Sequence, residues 1–240
     1  MQVVLLAAGL GSRLGALTER LPKALIQVAG VTLLERAVRF AQRLAPSEIV
    51  VVGGFGFADV AAEIQRCGLA VTLVENPAFR DGNLVSLQAA RPRIREGFWL
   101  MNVDHIYRPA IAQRVAVTAR EVTGYIDTDR TLGADDMKVS RDDAGHIRAI
   151  AKTLTTFDCG YVGMTQVPAE ALERYWATAD AALAEEGRAI HVERILARLA
   201  ASERPPACAD INGFGWLEMD MQDERAHADT VVRAAPAAWI

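Results

Sequence analysis

Gly9, Gly11, Arg13 and Lys23 are the residues whose types and spacing first suggest chemistry. They belong to Leu6-Ala7-Ala8-Gly9-Leu10-Gly11-Ser12-Arg13-Leu14 and, a short way on, Pro22-Lys23-Ala24-Leu25. Ala7 and Ala8 end an apolar run in small side chains, so a planar base or a ribose can lie close to the backbone. Gly9, Gly11 and Ser12 form a loop that can turn its N–H groups inward as an anion nest. Arg13 can fork onto two phosphate oxygens, and Lys23 enters as a point charge behind the fixed backbone of Pro22. Together they suit a nucleoside triphosphate. Two other phosphate patterns do not fit. A dinucleotide fingerprint needs a third glycine where Leu14 stands, with a helix starting at once, and GxxxxGK[ST] does not occur.

A triphosphate calls for a hard cation, and Mg2+ takes oxygen ligands with only one or two protein carboxylates among them. Asp104 follows the apolar run Phe98–Val103, at the carboxyl end of a strand, where α/β sheets place ligands. Alternation along Trp216-Leu217-Glu218-Met219-Asp220 puts Glu218 and Asp220 on one strand face, with Asp220 the first choice for the second metal acid. Lys138 and Lys152, on neighbouring predicted strands, read by themselves as surface charges. Asp127, Asp129 and Asp158 could hydrogen-bond the hydroxyls of a polyol or face a cationic head group. The latter would also want aromatic faces, and nothing in the spacing of Tyr107, Tyr125, Tyr161 and Trp216 shows that they converge. His105 and His191 read as ordinary polar residues, because an ionised phosphate acceptor needs no general base.

The elements that must position these residues follow two regimes. Val3–Leu6 reads as a strand buried on both faces. Thr32 offers an N-cap to a helix marked by Leu33, Leu34, Ala37, Val38, Phe40 and Ala41. Strands at 49–52, 71–74 and 98–103 alternate with helices at 58–66 and 84–90, which implies right-handed crossovers and a mainly parallel sheet. Beyond about Arg120, short strands at 122–126, 137–140, 147–151 and 159–164 are joined by tight connections. Asp142-Asp143-Ala144-Gly145 reads as a hairpin turn. Helices at 169–185 and 192–201 and a closing strand–helix unit (216–219, 223–234) complete the chain. In the helix at 192–201, Ile195, Leu196 and Leu199 lie at helical spacing, as core or as a subunit contact, which leaves a homodimer open.

With 240 residues and no linker or repeat, one domain is expected over 1–240, with a nucleotide half (about 1–120) and an acceptor half (about 121–240). The net charge of −4, with scattered basic residues, argues against nucleic acid as a partner. Cys67, Cys159 and Cys208 lie far apart with no metal-ligand spacing, and read as reduced thiols of a cytoplasmic protein. Neither a signal peptide nor a membrane span is evident, so no membrane insertion is expected.

GLGSRL followed by PKAL resembles the signature of sugar-phosphate-type nucleotidyltransferases, and the likeness runs the whole length of the chain. It is nearest in flavour to the inositol-1-phosphate cytidylyltransferase branch, with phosphocholine cytidylyltransferases beside it. Gly82-Asn83-Leu84-Val85-Ser86-Leu87, Asn102-Val103-Asp104-His105-Ile106-Tyr107 and Phe157-Asp158-Cys159 carry the same likeness. The resemblance implies an α/β fold: a Rossmann-like, mostly parallel mixed sheet with flanking helices, of the nucleotide-diphospho-sugar transferase type. It further implies Mg2+ held by Asp104, base reading by Asn83 and Ser86, and an acceptor phosphate met by Lys152 with Lys138 close by. Many relatives carry Asp where this chain has Glu218. The implied reaction joins CTP, or another NTP, to inositol 1-phosphate, phosphocholine, an aminoalkylphosphonate or a sugar 1-phosphate. Any following lipid or solute step then falls to a separate partner. A molybdopterin-type transferase shares the first motif, but the lysine-bearing strands of the second half argue against it. A nucleotide-sensing subunit on the same fold would have lost the lysine or the metal acids.

Overall fold

Every residue of β1 (Gln2–Ala7) is buried, as a strand with neighbours on both edges and helices on both faces must be. The computed structural model describes residues 1–11, 13–14, 21–116 and 119–239. In chain order β1 is followed by β2 (Gln27–Val28), β3 (Val31–Thr32), α1 (Leu33–Gln42), β4 (Ile49–Gly53), α2 (Phe57–Arg66), β5 (Thr72–Glu75), α3 (Asn83–Ala90), β6 (Phe98–Asn102), β7 (His105–Tyr107) and α4 (Pro109–Val115). The second half runs β8 (Thr123–Asp127), β9 (Lys138–Arg141), β10 (Ile147–Ala151), β11 (Cys159–Val167), α5 (Leu172–Glu186), α6 (Glu193–Ala200), β12 (Ala207–Asp210), β13 (Trp216–Glu218) and α7 (Gln222–Ala234).

Among the described residues, nine strands form one mixed sheet in the order β10-β9-β11-β6-β1-β4-β5, with β8 joined to β11 and β12 to β8. The strands β6, β1, β4 and β5 are parallel, as the alternation of strands and helices implies. β11 runs antiparallel to β6, and β9 and β10 continue antiparallel; short turns rather than helices link β9, β10 and β11 along the chain. The Asp142–Gly145 turn is one of these. Its Asp142 carboxylate accepts from the N–H groups of Ala144 and His146, and Gly145 takes the positive φ of +84°.

Alternation along β1 builds two cores. Val3 and Leu5 face α1, whose N-cap Thr32 accepts from the Glu35 N–H at 3.2 Å. Val4 and Leu6 face α3 and, further along, α5 and α6. Ile195, Leu196 and Leu199 of α6 are all buried against β10 and α5, so that stripe is core within the chain rather than a subunit contact. Sequence periodicity overlooked β7, β12 and α4. β7 is three residues long and, among the described residues, pairs only with β13 in a separate two-stranded sheet, so it shows no period of its own. No described helix is long and apolar enough to cross a membrane.

The segment before α3 is strapped to the segment before α6. The Gly82 N–H donates to the Arg188 carbonyl at 2.7 Å, and Arg188 pairs with Asp81 at 2.6 Å. A Cβ on Gly82 would lie 1.8 Å from the Ile190 carbonyl oxygen, and main chain cannot yield as a side chain can. Gly82→Ala is therefore expected to lower stability by about 2–3 kcal/mol in chemical denaturation. A neutral result would show that the two segments are not in contact in solution.

Candidate active site

A cavity of about 400 Å³ opens where the carboxyl ends of β1 and β6 meet, lined on one side by Ala8, Gly9, Gly11 and Arg13. Lys23 begins a single 3-10 turn straight after Pro22, whose φ of −53° and ψ of 139° aim the chain inward. Lys23 is 8% exposed. The ammonium lies 2.5 Å from Asp104 Oδ2 and also donates to Asp220 Oδ1. Asp220 Oδ2 is met by Arg13 Nη2 at 2.8 Å. Two acids distant in sequence thus share one lysine, and one of them also holds the loop arginine.

Asp104 follows β6, and Glu218 reaches it through the β7–β13 pair, in which Glu218 stands opposite His105. The Met219 N–H donates to the Asp104 carbonyl at 3.0 Å, which sets Asp220 down beside it. Strand alternation is not what aligns Glu218 with Asp220. β13 ends at Glu218, and Asp220 lies in the bend beyond it, its N–H held by Glu224 Oε2 at 2.6 Å. Both nevertheless line the cavity.

His105, read from sequence as an ordinary polar residue, is built into the site. Its Nδ1 is 2.8 Å from Asp104 Oδ1 and its Nε2 is 3.8 Å from Glu218 Oε1. The ring stacks on Trp216 and Tyr107, and Gly163, at φ +70°, leaves it room: a Cβ there would approach the ring to 2.6 Å. Arg130 was also overlooked. It bridges Asp136 at 3.1 Å and Glu218 at 3.4 Å while lying over Trp216. Adjacency to Asp104 was the available signal for His105; for Arg130 there was none, since Glu218 and Trp216, which fix it, come from the distant strand β13.

These charges set one another's protonation. Burial works against the charged form of Lys23, but Asp104 and Asp220 outweigh it and raise its pKa. Burial likewise opposes ionisation of Asp104, yet Lys23 and His105 hold its carboxyl well below the usual range. For His105, burial is overcome by the Asp104 carboxylate, and the imidazole is shifted upward. Glu218 moves up instead, through burial first, with the neighbouring acids adding to it and His105 opposing. The thiols lie apart from this chemistry: burial pushes Cys159 up to about 11 and Cys208 to about 12. Cys67 sits beside Glu35 and Glu63, which Arg39 and Arg66 neutralise.

The remaining expected residues fall into two groups. Asn83, Ser86 and Lys152 line the same cavity, joined by Tyr161, His191 and Glu193. Ala7 is buried inside β1, and Ser12 lies outside the described residues. Lys138 does not line the cavity. Its ammonium is spent on the carbonyls of Ala134, Asp136 and Lys152 at 3.0–3.3 Å, because β9 turns it beneath the loop that precedes it. Asp158 is exposed and outside the cavity, where its carboxylate accepts from the Arg141 N–H at 2.7 Å. Asp127 is taken by the Trp216 indole at 2.7 Å and so braces β13.

The profile of the family described as MobA-like NTP transferase domain matches residues 3–156. The chain belongs to this family. The bifunctional IPC transferase and DIPP synthase of Rubrobacter xylanophilus is 34% identical over 231 residues, covering 95% of this chain and 51% of that protein. The chain thus spans about half the length of the curated relatives it matches. Among solved structures, the inositol-1-phosphate CTP transferase from T. maritima superimposes with a TM-score of 0.81 at 17% identity, covering 98% of this chain and 96% of that one. The CTP:phosphocholine cytidylyltransferase of Streptococcus pneumoniae gives 0.77 at 20% identity, covering 96% and 98%. The chain thus shares the fold of these structures and belongs by family to the NTP transferases.

Removing Lys23 tests the charge balance without a substrate. The unfolded reference pKa values are about 3.9 for Asp and 10.4 for Lys. The lysine's stabilisation is fully present between them, and is lost as pH falls through the depressed value of Asp104 or rises through the raised value of Lys23. In Lys23→Met the two acids lose their shared cation, so protonating them relieves repulsion and the variant gains as pH falls. The melting-temperature gap to wild type, in chelator, is expected to be wide near pH ~7 and to shrink towards pH ~4. A gap constant across that range would contradict the charge assignment.

Proposed function

We propose that this chain is a Mg2+-dependent cytidylyltransferase that joins CTP to a phosphorylated small alcohol, inositol 1-phosphate first, releasing pyrophosphate. The observation that carries the reading is Lys23 seated between Asp104 and Asp220 beside the glycine loop and Arg13. The choice of CTP and inositol 1-phosphate is supported by the names of the relatives and of the superimposed structure. A phosphocholine or aminoalkylphosphonate acceptor is the second reading, favoured by Tyr161 in the same cavity. A nucleotide-sensing role without turnover fits poorly with Arg13, Lys23, Asp104 and Asp220 gathered at one point.

A metal suits the residues present, because the lysine ammonium already stands as a cation between two carboxylates. Asp104 and Asp220 would hold Mg2+, with Glu218 the weaker candidate since its carboxyl is shifted towards the neutral form. When bound, the ion would neutralise phosphate charge and orient the triphosphate.

The rest of the work falls to the chain. An oxygen of the acceptor phosphate attacks the α-phosphorus of CTP as the bond to the β-phosphate oxygen breaks and pyrophosphate leaves. Every participant is anionic, so the chief requirement is positioning with positive charge. Lys23 stabilises the crowded α-phosphate, and Arg13 holds the departing pyrophosphate. Lys152, which also lines the cavity, receives the acceptor phosphate. No proton moves, because the acceptor is ionised at neutral pH.

A pyrophosphate-release screen of four NTPs against phosphorylated acceptors, with and without Mg2+, tests the reading. CTP with inositol 1-phosphate and Mg2+ is the expected active combination; no release from any pair would refute the enzyme assignment. Within the metal site, Asp220→Asn is expected to lower kcat/KM by about 10²–10³ and Glu218→Gln by only about tenfold. The reverse order would exchange their roles.

A further inference from the structure

His105 lines the cavity and is almost wholly buried, yet no step of the transfer uses it. Its ring is stacked on Trp216, 5.3 Å away at 15°, and on Tyr107, 5.9 Å away at 18°. Both of those rings are tied down in turn. The Tyr107 hydroxyl donates to the Val162 carbonyl at 2.6 Å, and the Trp216 indole donates to the Asp127 carboxylate at 2.7 Å. Gly163 closes against the same imidazole. The ring so fixed sets its Nδ1 2.8 Å from Asp104 Oδ1. Despite its burial, Asp104 is held ionised by Lys23 and His105, and an ionised carboxylate only accepts, so Nδ1 carries the hydrogen. Nε2, 3.8 Å from Glu218 Oε1, is too far away for a second hydrogen bond. The two oxygens of Asp104 are therefore used differently. Oδ1 is committed to the fixed ring, and Oδ2 faces the Lys23 ammonium at 2.5 Å.

We propose that His105 is a positioning residue that restricts Asp104 to a single metal-binding oxygen, and that this restriction favours Mg2+ over Ca2+. The inference rests on the Mg2+-dependent transfer reading of the same cavity. Charge does not separate the two ions, since both are hard divalent cations that take oxygen ligands. They differ in how many oxygens they need. Mg2+ holds about six in a strict octahedral shell and is content with one oxygen from a carboxylate, whereas Ca2+ takes up to about eight and gains when a carboxylate offers both. Asp220 carries no such restraint, because its partners Lys23 and Arg13 are the cations suited to phosphate. At Asp104 one oxygen is tied instead to a neutral donor of the protein, held by a stack that neither metal nor nucleotide displaces.

The test is the ratio of the Ca2+ and Mg2+ dissociation constants, measured by calorimetry on the full chain. A CTP analogue with a methylene bridge between its α- and β-phosphorus is present throughout, so no turnover enters. Wild type is expected to hold Mg2+ more tightly than Ca2+. His105→Phe keeps a ring for the stack and removes the donor, which frees Asp104 Oδ1. Mg2+ is then expected to bind about tenfold or more weakly, as when other outer partners of metal-holding side chains are lost. Ca2+ gains the freed oxygen, so the ratio falls by about tenfold or more. A role in folding alone would weaken both ions alike and leave the ratio unmoved. His105→Asn and His105→Gln both lose the ring, but only Asn returns an N–H near the place of Nδ1. The ratio is expected to stay close to wild type in Asn and to fall in Gln, and this pair decides if His105→Phe does not fold. An unchanged ratio in Phe and Gln, or an equal fall in Asn, overturns the role of His105 and leaves the transfer reading standing. Wild type that binds the analogue equally well with and without Mg2+ overturns the metal-dependent reading itself.

Discussion

The contact on which the site depends is the buried ammonium of Lys23, shared by Asp104 and Asp220. The lysine lies 81 residues from one acid and 197 from the other. Each is delivered by a different part of the fold: a turn after β1, the end of β6, and the bend after β13. Removing one partner from such a buried arrangement costs on the order of 3–5 kcal/mol, because a charge is left without compensation. The β7–β13 pair, the His105 stack and the Glu224 cap on Asp220 bring the acids to the lysine.

The same contact has a consequence for ligand binding. The carboxylates suited to a metal are already matched by cations, and those cations are the ones suited to phosphate. On the proposed reading, Mg2+ and the triphosphate relieve each other's cost. Asp104 and Asp220 would hold the ion, which would leave Lys23 and Arg13 to the phosphates. Either alone would leave like charges facing one another. Local charge balance would thus let a protein of net charge −4 receive a polyanion in one concentrated pocket rather than on a basic surface.

Much of this could be read from the chain where a local rule was enough. Buried runs gave the parallel strands, Thr32 marked α1, and the Asp142–Gly145 turn announced its hairpin. The glycine loop, Lys23 and Asp104 were singled out by spacing or strand position and do line one cavity; Glu218 and Asp220 line it too, though not through the strand alternation expected of them. What was hidden depended on partners far away in sequence. Lys138 looked like a ligand residue, but three carbonyls of its own neighbourhood consume it. His105 looked ordinary because Trp216 and Glu218, which meet its ring, come from β13, and the room for it comes from a glycine in β11. Asn83 looked like a simple base reader, and only the Val192 N–H shows which half of its amide is available.

Metal binding in the absence of turnover addresses the central claim most directly. Titration of Mn2+ into the metal-free protein, alone and with a CTP analogue that cannot transfer its nucleotide, separates the two cases. If Lys23 and the metal compete for Asp104 and Asp220, Mn2+ alone binds weakly, and the analogue tightens it by about tenfold or more, with the same factor appearing reciprocally in analogue affinity. Mn2+ binding equally tightly with and without the nucleotide would show that the lysine does not guard the acids, and would contradict this account.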